Sequence, residues 1–179
     1  GIIVVPTAGG EVEYDDARCG LESWGERGVA GVTCIRTVDG AEADSEAFAR
    51  PIMEATAVWF NGGRQWHIAD SFLGTRTEEE FRRVLERGGV VGGSSAGATI
   101  QGSYLVRGDT SGNTIMMGDH QVGFGYLKNV AIDQHVLRRN RHFDLIEVIE
   151  AHPELLGIGI DENTAIVVQG DEFEVIGAS

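Results

Sequence analysis

Cysteine is scarce, lysine almost absent and proline rare in this chain, and each scarcity removes a class of protein. The two cysteines, Cys19 and Cys34, form neither a C-x-x-C pair nor a zinc-like spacing, so no metal site is expected. Cys34 lies in an apolar, strand-like run and reads as a small buried residue, and the two cysteines say little about compartment. Lys128 is the only lysine, and 14 basic residues face 28 acidic ones, for a formal net charge of -14. A surface this acidic repels phosphate backbones, which argues against nucleic-acid partners. No apolar run approaches membrane-spanning length, so no membrane partner is expected. Proline occurs three times against 26 glycines, and the glycines cluster in pairs after apolar runs. That placement suggests tight turns at strand ends more than disorder.

What is present suits one domain with a full core: 179 residues, with no repeat and no interdomain linker. Residue 1 opens directly into Ile2-Ile3-Val4-Val5, so the chain reads as trimmed at both ends. A cytoplasmic location is favoured, with secretion left open by the missing start. Short β-branched runs predict buried strands at 2–5, 31–35, 57–60, 89–91, 130–132, 158–160 and 165–168. Helices are expected over 45–54, from about Thr77 to Gly88 with a capping-box start, and over 139–151 with Phe143, Leu145, Ile146 and Ile149 facing inward. The stretch 102–125 reads as a loop or irregular hairpin across the mouth of a site. Alternating strands and helices predict a single α/β domain, three layers deep, with a mostly parallel sheet.

One segment carries chemistry. A buried strand runs into Gly93-Ser94-Ser95-Ala96-Gly97, a G-x-S-x-G pattern. A nucleophilic serine on a strained strand-to-helix turn needs small neighbours, and the turn lifts its hydroxyl above the sheet. Ser95 is the central residue of the pattern; Ser94 is its competitor. A serine hydroxyl needs a base, and the candidates are His67, His120, His135, His142 and His152. His135 is favoured because it directly follows a buried strand, at the carboxyl edge where α/β sites assemble. A second glycine loop, Asn61-Gly62-Gly63-Arg64-Gln65, also follows a strand; an N–H there could join that of Ala96 in an oxyanion hole. Asp161 and Glu162 read as backbone caps at a strand end.

Four segments occur in order: 61–65, 92–98, Asp133-Gln134-His135 with Arg139 and Arg141, and 159–165. Together they resemble the cyanophycinase and peptidase E family, and the resemblance covers nearly the whole chain. It implies a fold like class I glutamine amidotransferases, with serine in place of cysteine, and hydrolysis of peptide bonds next to aspartate. By the same resemblance Ser95 is the nucleophile and His135 the base, with the N–H groups of Gly63 and Ala96 as the oxyanion hole. Gln65, Asp133, Gln134, Arg139 and Arg141 match positions lining the substrate cleft. No metal or organic cofactor is implied; the partner is a peptide substrate with aspartyl residues, and a homodimer is a candidate assembly. Two departures stand out. The loop that holds the family's triad acid places Asn113 there, with Asp109 or Asp119 as alternatives, and Asp144 stands where cyanophycinase has a cleft arginine. The alternatives are an aspartyl dipeptidase or isopeptidase on short peptides, and a binding homologue without catalysis.

Overall fold

The computed structural model describes residues 1–11, 15, 17 and 19–178. Strand β1 (Ile2–Val5) is buried along its whole length, as expected of a strand covered on both faces. Helix α1 (Leu21–Glu26) leads to β2 (Val32–Cys34), and the short helices α2 (Gly40–Ala43) and α3 (Glu46–Ala49) lead to β3 (Ala57–Phe60). Then follow α4 (Gln65–Phe72), α5 (Arg76–Glu86), β4 (Val90–Gly93) and α6 (Ala96–Thr99). Strands β5 (Gly102–Tyr104) and β6 (Leu127–Gln134), helix α7 (Asp144–Ala151) and β7 (Leu156–Ile160) precede a hairpin of β8 (Thr164–Gln169) and β9 (Glu172–Gly177).

The strands form a parallel sheet in the order β2-β1-β3-β4, a second parallel sheet in the order β5-β6-β7, and the antiparallel β8-β9 pair. Helices pack on the sheets in the three-layer, flavodoxin-like manner that the alternating pattern predicts. Between β3 and the helices α4 and α5 lies the main core. Phe60 and Phe81 meet edge-to-face at 5.0 Å, Phe72 meets Phe81 at 5.4 Å, and all three are fully buried. A second cluster, including Val106, Ala131 and Val148, joins β6 to α7.

Several expected boundaries move, each for a physical reason. The helix over 45–54 stops at Ala49 and tightens into a 3₁₀ turn over Arg50–Ile52, where Pro51 has no N–H to donate. The capping box begins at Thr75, not Thr77: the Glu78 N–H reaches Thr75 Oγ1 (3.3 Å) while the Gly74 N–H reaches the Glu78 carboxylate (2.7 Å). The last long helix begins at Asp144, because Asn140 at φ 54° breaks the run before it. Its inward face is therefore Leu145, Val148 and Ile149; Phe143 and Ile146 are exposed. Cys34 is not a free buried thiol. It is bonded to Cys19 (Cα–Cα 5.9 Å), across a sequence separation of 15. A cross-link of that span is worth about 3 kcal/mol in the chain-entropy account.

The stretch 102–125 opens with β5 and continues as an irregular hairpin, in which the Leu105 N–H donates to Gln121 O and the Arg107 N–H to Met116 O. It is tied to α4 by His120, whose Nε2 meets Asp70 (2.7 Å) and whose Nδ1 meets Asp119 (2.9 Å). Burial opposes the charge on this ring, but the bonds to Asp119 and Asp70 outweigh it and raise its pKa above 6.5. Asp119, bonded to Thr110 and to His120, is pulled down to about 2.

Two outcomes follow from this packing. Phe81→Ala should cost about 3–5 kcal/mol, read as a lower midpoint in denaturant unfolding. The His120 tie contributes fully below the unfolded pKa of about 6.5 and fades as pH rises through its higher folded value. Asp119 contributes above about pH 4 and fades only near 2. Between pH 6 and pH 8 the wild type should therefore lose more melting temperature than His120→Gln; equal losses would contradict the tie.

Candidate active site

The site is built where β4, β6 and β7 end. Ser95 follows β4 and caps α6 with φ 55° and ψ -114°, a region that L-residues rarely enter and that costs about 1–3 kcal/mol. The glycines flanking it explain how the bend fits. A side chain on Gly97 would collide with the Phe60 carbonyl, and one on Gly93 with the Gly97 carbonyl. Ser94 is the more exposed of the two serines.

His135 follows β6, also at positive φ (57°). Its Nε2 lies 3.0 Å from Ser95 Oγ. Its Nδ1 lies 3.0 Å from Glu162 Oε1. A carboxylate only accepts, so Nδ1 carries the proton and Nε2 turns a lone pair toward the serine hydroxyl. Such an arrangement can draw the proton from Ser95 and stabilise the resulting imidazolium. The ring is about one-fifth exposed and the glutamate nearly half, so the pair opens onto a cleft of about 1120 Å³. That cleft is lined in part by Ser95, Gln134, His135, Glu162 and Trp59.

The other four histidines are engaged elsewhere. His67 donates from Nδ1 to Ala8 O (3.1 Å), and burial holds its pKa down so that it stays neutral. His120 ties the hairpin, His152 packs on the Tyr104 ring and His142 is exposed.

The acid in contact with the imidazole is Glu162, and Asn113 is corrected accordingly. No hydrogen bond joins Asn113 to His135 among the described residues; the Asn113 carbonyl instead accepts from Arg107 Nη1 (2.9 Å). Asp109 and Asp119 are occupied within their own loop, by the N–H groups of Ser111 and Thr110. Of the two acids read as caps, Asp161 is one: it accepts from the N–H groups of Leu137 (3.1 Å) and Arg138 (3.0 Å). Those backbone bonds lower its pKa. Glu162 is not.

The remaining candidates divide. Gly62 lies against Ser95: a Cβ there would sit 3.2 Å from Ser95 Cβ. Gly63, at φ 150°, could carry no side chain without striking the Ala8 carbonyl. Ala96 begins α6, so its N–H has no partner within the helix. Gln134 lines the cleft and accepts from Arg141 Nη1 through Oε1 (3.1 Å). Arg139 is exposed. Arg141 is nearly buried and bonds Gln134 O as well (3.0 Å). Gln65 and Asp133 are both buried, Gln65 donating to Val106 O (2.9 Å) and Asp133 gripping Arg107 through both oxygens (2.7 and 2.9 Å).

The family model described as peptidase family S51 matches residues 2–176. The chain belongs to peptidase family S51. It is 32% identical over 180 residues to a cyanophycinase of Geminocystis herdmanii, covering 98% of this chain and 66% of that protein. A Nostoc cyanophycinase is 31% identical over 181 residues, with 98% and 60% covered. One from Thermosynechococcus vestitus is 33% identical over 147 residues, with 80% and 46% covered. The chain thus spans two thirds or less of these relatives' length. Its fold matches a peptidase from an acI-B1 actinobacterium (TM-score 0.76, 23% identity, 99% of this chain and 75% of that one). It also matches a candidate peptidase E protein of Listeria monocytogenes (TM-score 0.69, 16% identity, 99% and 86% covered).

Glu162 becomes legible in this S51 chain once the strand order is known. Strand β7 lies beside β6 with Ile160 opposite Gln134, so residues just past each strand end are neighbours. Glu162→Gln should slow acylation of Ser95 by a fluorophosphonate by roughly 10²–10⁴-fold, as loss of an orienting carboxylate does. Asn113→Ala should leave that rate within about twofold, and the reverse ranking would restore the loop residue as the orienting group.

Proposed function

We propose that this chain carries the catalytic centre of a serine-type peptidase that hydrolyses aspartyl peptide bonds through an acyl-enzyme, with cyanophycin or related aspartyl peptides as substrates. The observation that carries the reading is the continuous contact Ser95 Oγ, His135 Nε2, His135 Nδ1, Glu162 Oε1, with both hydrogen-bond distances at 3.0 Å. Family membership supports the same chemistry.

In this mechanism Ser95 Oγ attacks the scissile carbonyl carbon while His135 Nε2 takes the hydroxyl proton. Glu162 offsets the charge of the imidazolium. The carbonyl oxygen, now negative, accepts from the N–H groups of Gly63 and Ala96. The imidazolium then gives its proton to the leaving amine, the C–N bond breaks, and an acyl-serine remains. Water attacks that ester with His135 again as base, which frees the acid product and Ser95.

Aspartyl selectivity is supported by the charge near the base. In a chain of net charge -14, Arg138, Arg139 and Arg141 stand together within six residues of His135. Arg138 and Arg139 are exposed and can meet substrate carboxylates. Asp144 favours a second reading, a short aspartyl peptide as substrate, because an acid replaces a cleft arginine there and is partnered by Arg107 (2.5 Å).

Incubation with cyanophycin and with Asp-X dipeptides should release β-aspartyl-arginine from the first or free aspartate from the second. Ser95→Ala should abolish turnover and fluorophosphonate labelling together. Labelling that survives the substitution, or ligand binding without turnover of any acidic peptide, would count against the proposal.

A further inference from the structure

Arg107 belongs to none of the motifs and lies outside the contact chain at Ser95, yet it is buried and bonded on several sides behind His135. Its side chain is 2% exposed and its backbone sits at φ 55°. The guanidinium donates from Nε and Nη2 to the two oxygens of Asp133 (2.7 and 2.9 Å), from Nη2 to Asp144 (2.5 Å) and from Nη1 to Asn113 O (2.9 Å). A buried ion pair is weak evidence for stability, since apolar residues of similar volume often serve a core as well, and a geometric role is the alternative.

The geometry names that role. Asp133 is two residues before His135, and its Oδ1 also accepts the Gln134 N–H (2.9 Å). One carboxylate therefore locks both the strand end and the guanidinium. His135 leaves the strand at positive φ, a conformation that must be held from both sides. On the far side the Arg139 N–H donates to His135 O (2.9 Å) and the Arg141 N–H to Val136 O (2.7 Å). On the near side the restraint is Asp133, and Asp133 keeps its orientation because Arg107 grips it bidentately. Without Arg107 the cation left beside this buried carboxylate is Arg141, whose Nη1 lies 3.8 Å from Asp133 Oδ1, beyond hydrogen-bonding distance. A carboxylate that loses its bidentate partner is held by the Gln134 N–H alone and is free to turn, carrying the strand end with it.

We infer that Arg107 is a positioning residue for His135, acting through Asp133 to hold the imidazole at hydrogen-bonding distance from Ser95. The inference rests on the proposed roles of Ser95 and His135. The same guanidinium joins the hairpin at Asn113 and the start of α7 at Asp144, so one side chain sets the strand end, the loop and the helix around the base.

The test replaces the buried pair as a unit, with Arg107→Met and Asp133→Leu in one protein, and uses Arg107→Lys as a variant that retains the charge. Fluorophosphonate labelling gives a rate constant and a final labelled fraction. A purely structural role lowers the labelled fraction through unfolded protein and leaves the rate constant alone. The positioning role lowers the rate constant by roughly 10–100-fold in folded protein, the scale of an ångström's misplacement. In parallel, the imidazole signals of His135 are followed by NMR through a pH titration. They should move in either folded variant while those of exposed His142 stay in place. A folded variant with a rate constant within about twofold of wild type, or with His135 signals superimposed on wild type, overturns the inference. If wild type itself is not labelled at Ser95, the peptidase reading fails, and the NMR comparison still decides the role of Arg107.

Discussion

A hydrogen bond between a serine and an imidazole asks two residues from the ends of different strands to meet at 3.0 Å. Ser95 and His135 both leave their strands at positive φ, a conformation that is costly for L-residues. The rest of the structure offsets that cost. Strand β4 is held by β3, glycines at 93 and 97 let three backbone segments touch, and Asp133 and Asp161 restrain the chain on either side of the base. The phenylalanine core beneath β3 supplies the rigidity against which such strain can be kept.

The same requirement explains what the sequence makes visible. A strained strand-to-helix turn demands small neighbours, so the Gly-Gly-Ser-Ser-Ala-Gly run marks the turn by composition, and the G-x-S-x-G position favours Ser95 over Ser94. Buried parallel strands are runs of β-branched residues, and most of them fall within a few residues of where those runs predict. His135 can be singled out because a strand end is a position in the sequence as well as in space. Features that depend on partners distant in the chain are not legible. Nothing in the spacing of Cys19 and Cys34 announces their bond; it depends on how α1, which Cys19 just precedes, packs beside β2. Gln65 and Asp133 match cleft positions only through the family resemblance, and their burial rests on partners, Val106 and Arg107, that lie far off in the chain. Helix α4 is eight residues long, mixes polar with apolar side chains, and follows the Gly62-Gly63 loop without a side-chain cap to mark its start.

The address of the acid carries the main lesson of the site. Reading the hairpin as the source of the third group places Asn113 opposite the imidazole. The structure puts Glu162 there, from the end of a strand that lies beside the strand carrying His135. A group presented from an adjacent strand inherits the sheet's register, whereas a group on a long irregular loop must be held by the loop's own contacts. In this chain the hairpin's acids are used for that purpose: Asp109 and Asp119 bind its backbone, and Asp119 holds His120. The carboxylates that stabilise the loop are committed there, and the base has no need of them.

Charge then separates support from recognition. Buried ions are costly unless their partners are fixed, and the buried cations here are fixed: Arg107 by Asp133 and Asp144, Arg141 by Gln134. Cations fixed in this way have little freedom left to meet a substrate. The exposed cations here are Arg138 and Arg139, on the turn that Asp161 holds just past His135, with Arg138 Nε 3.9 Å from Glu162 Oε2. An acidic ligand approaching an otherwise acidic surface would meet its first opposite charges on that turn, next to the imidazole. Arginines that are alike in sequence thus divide by burial into those locked among the elements around His135 and those left at the surface beside it.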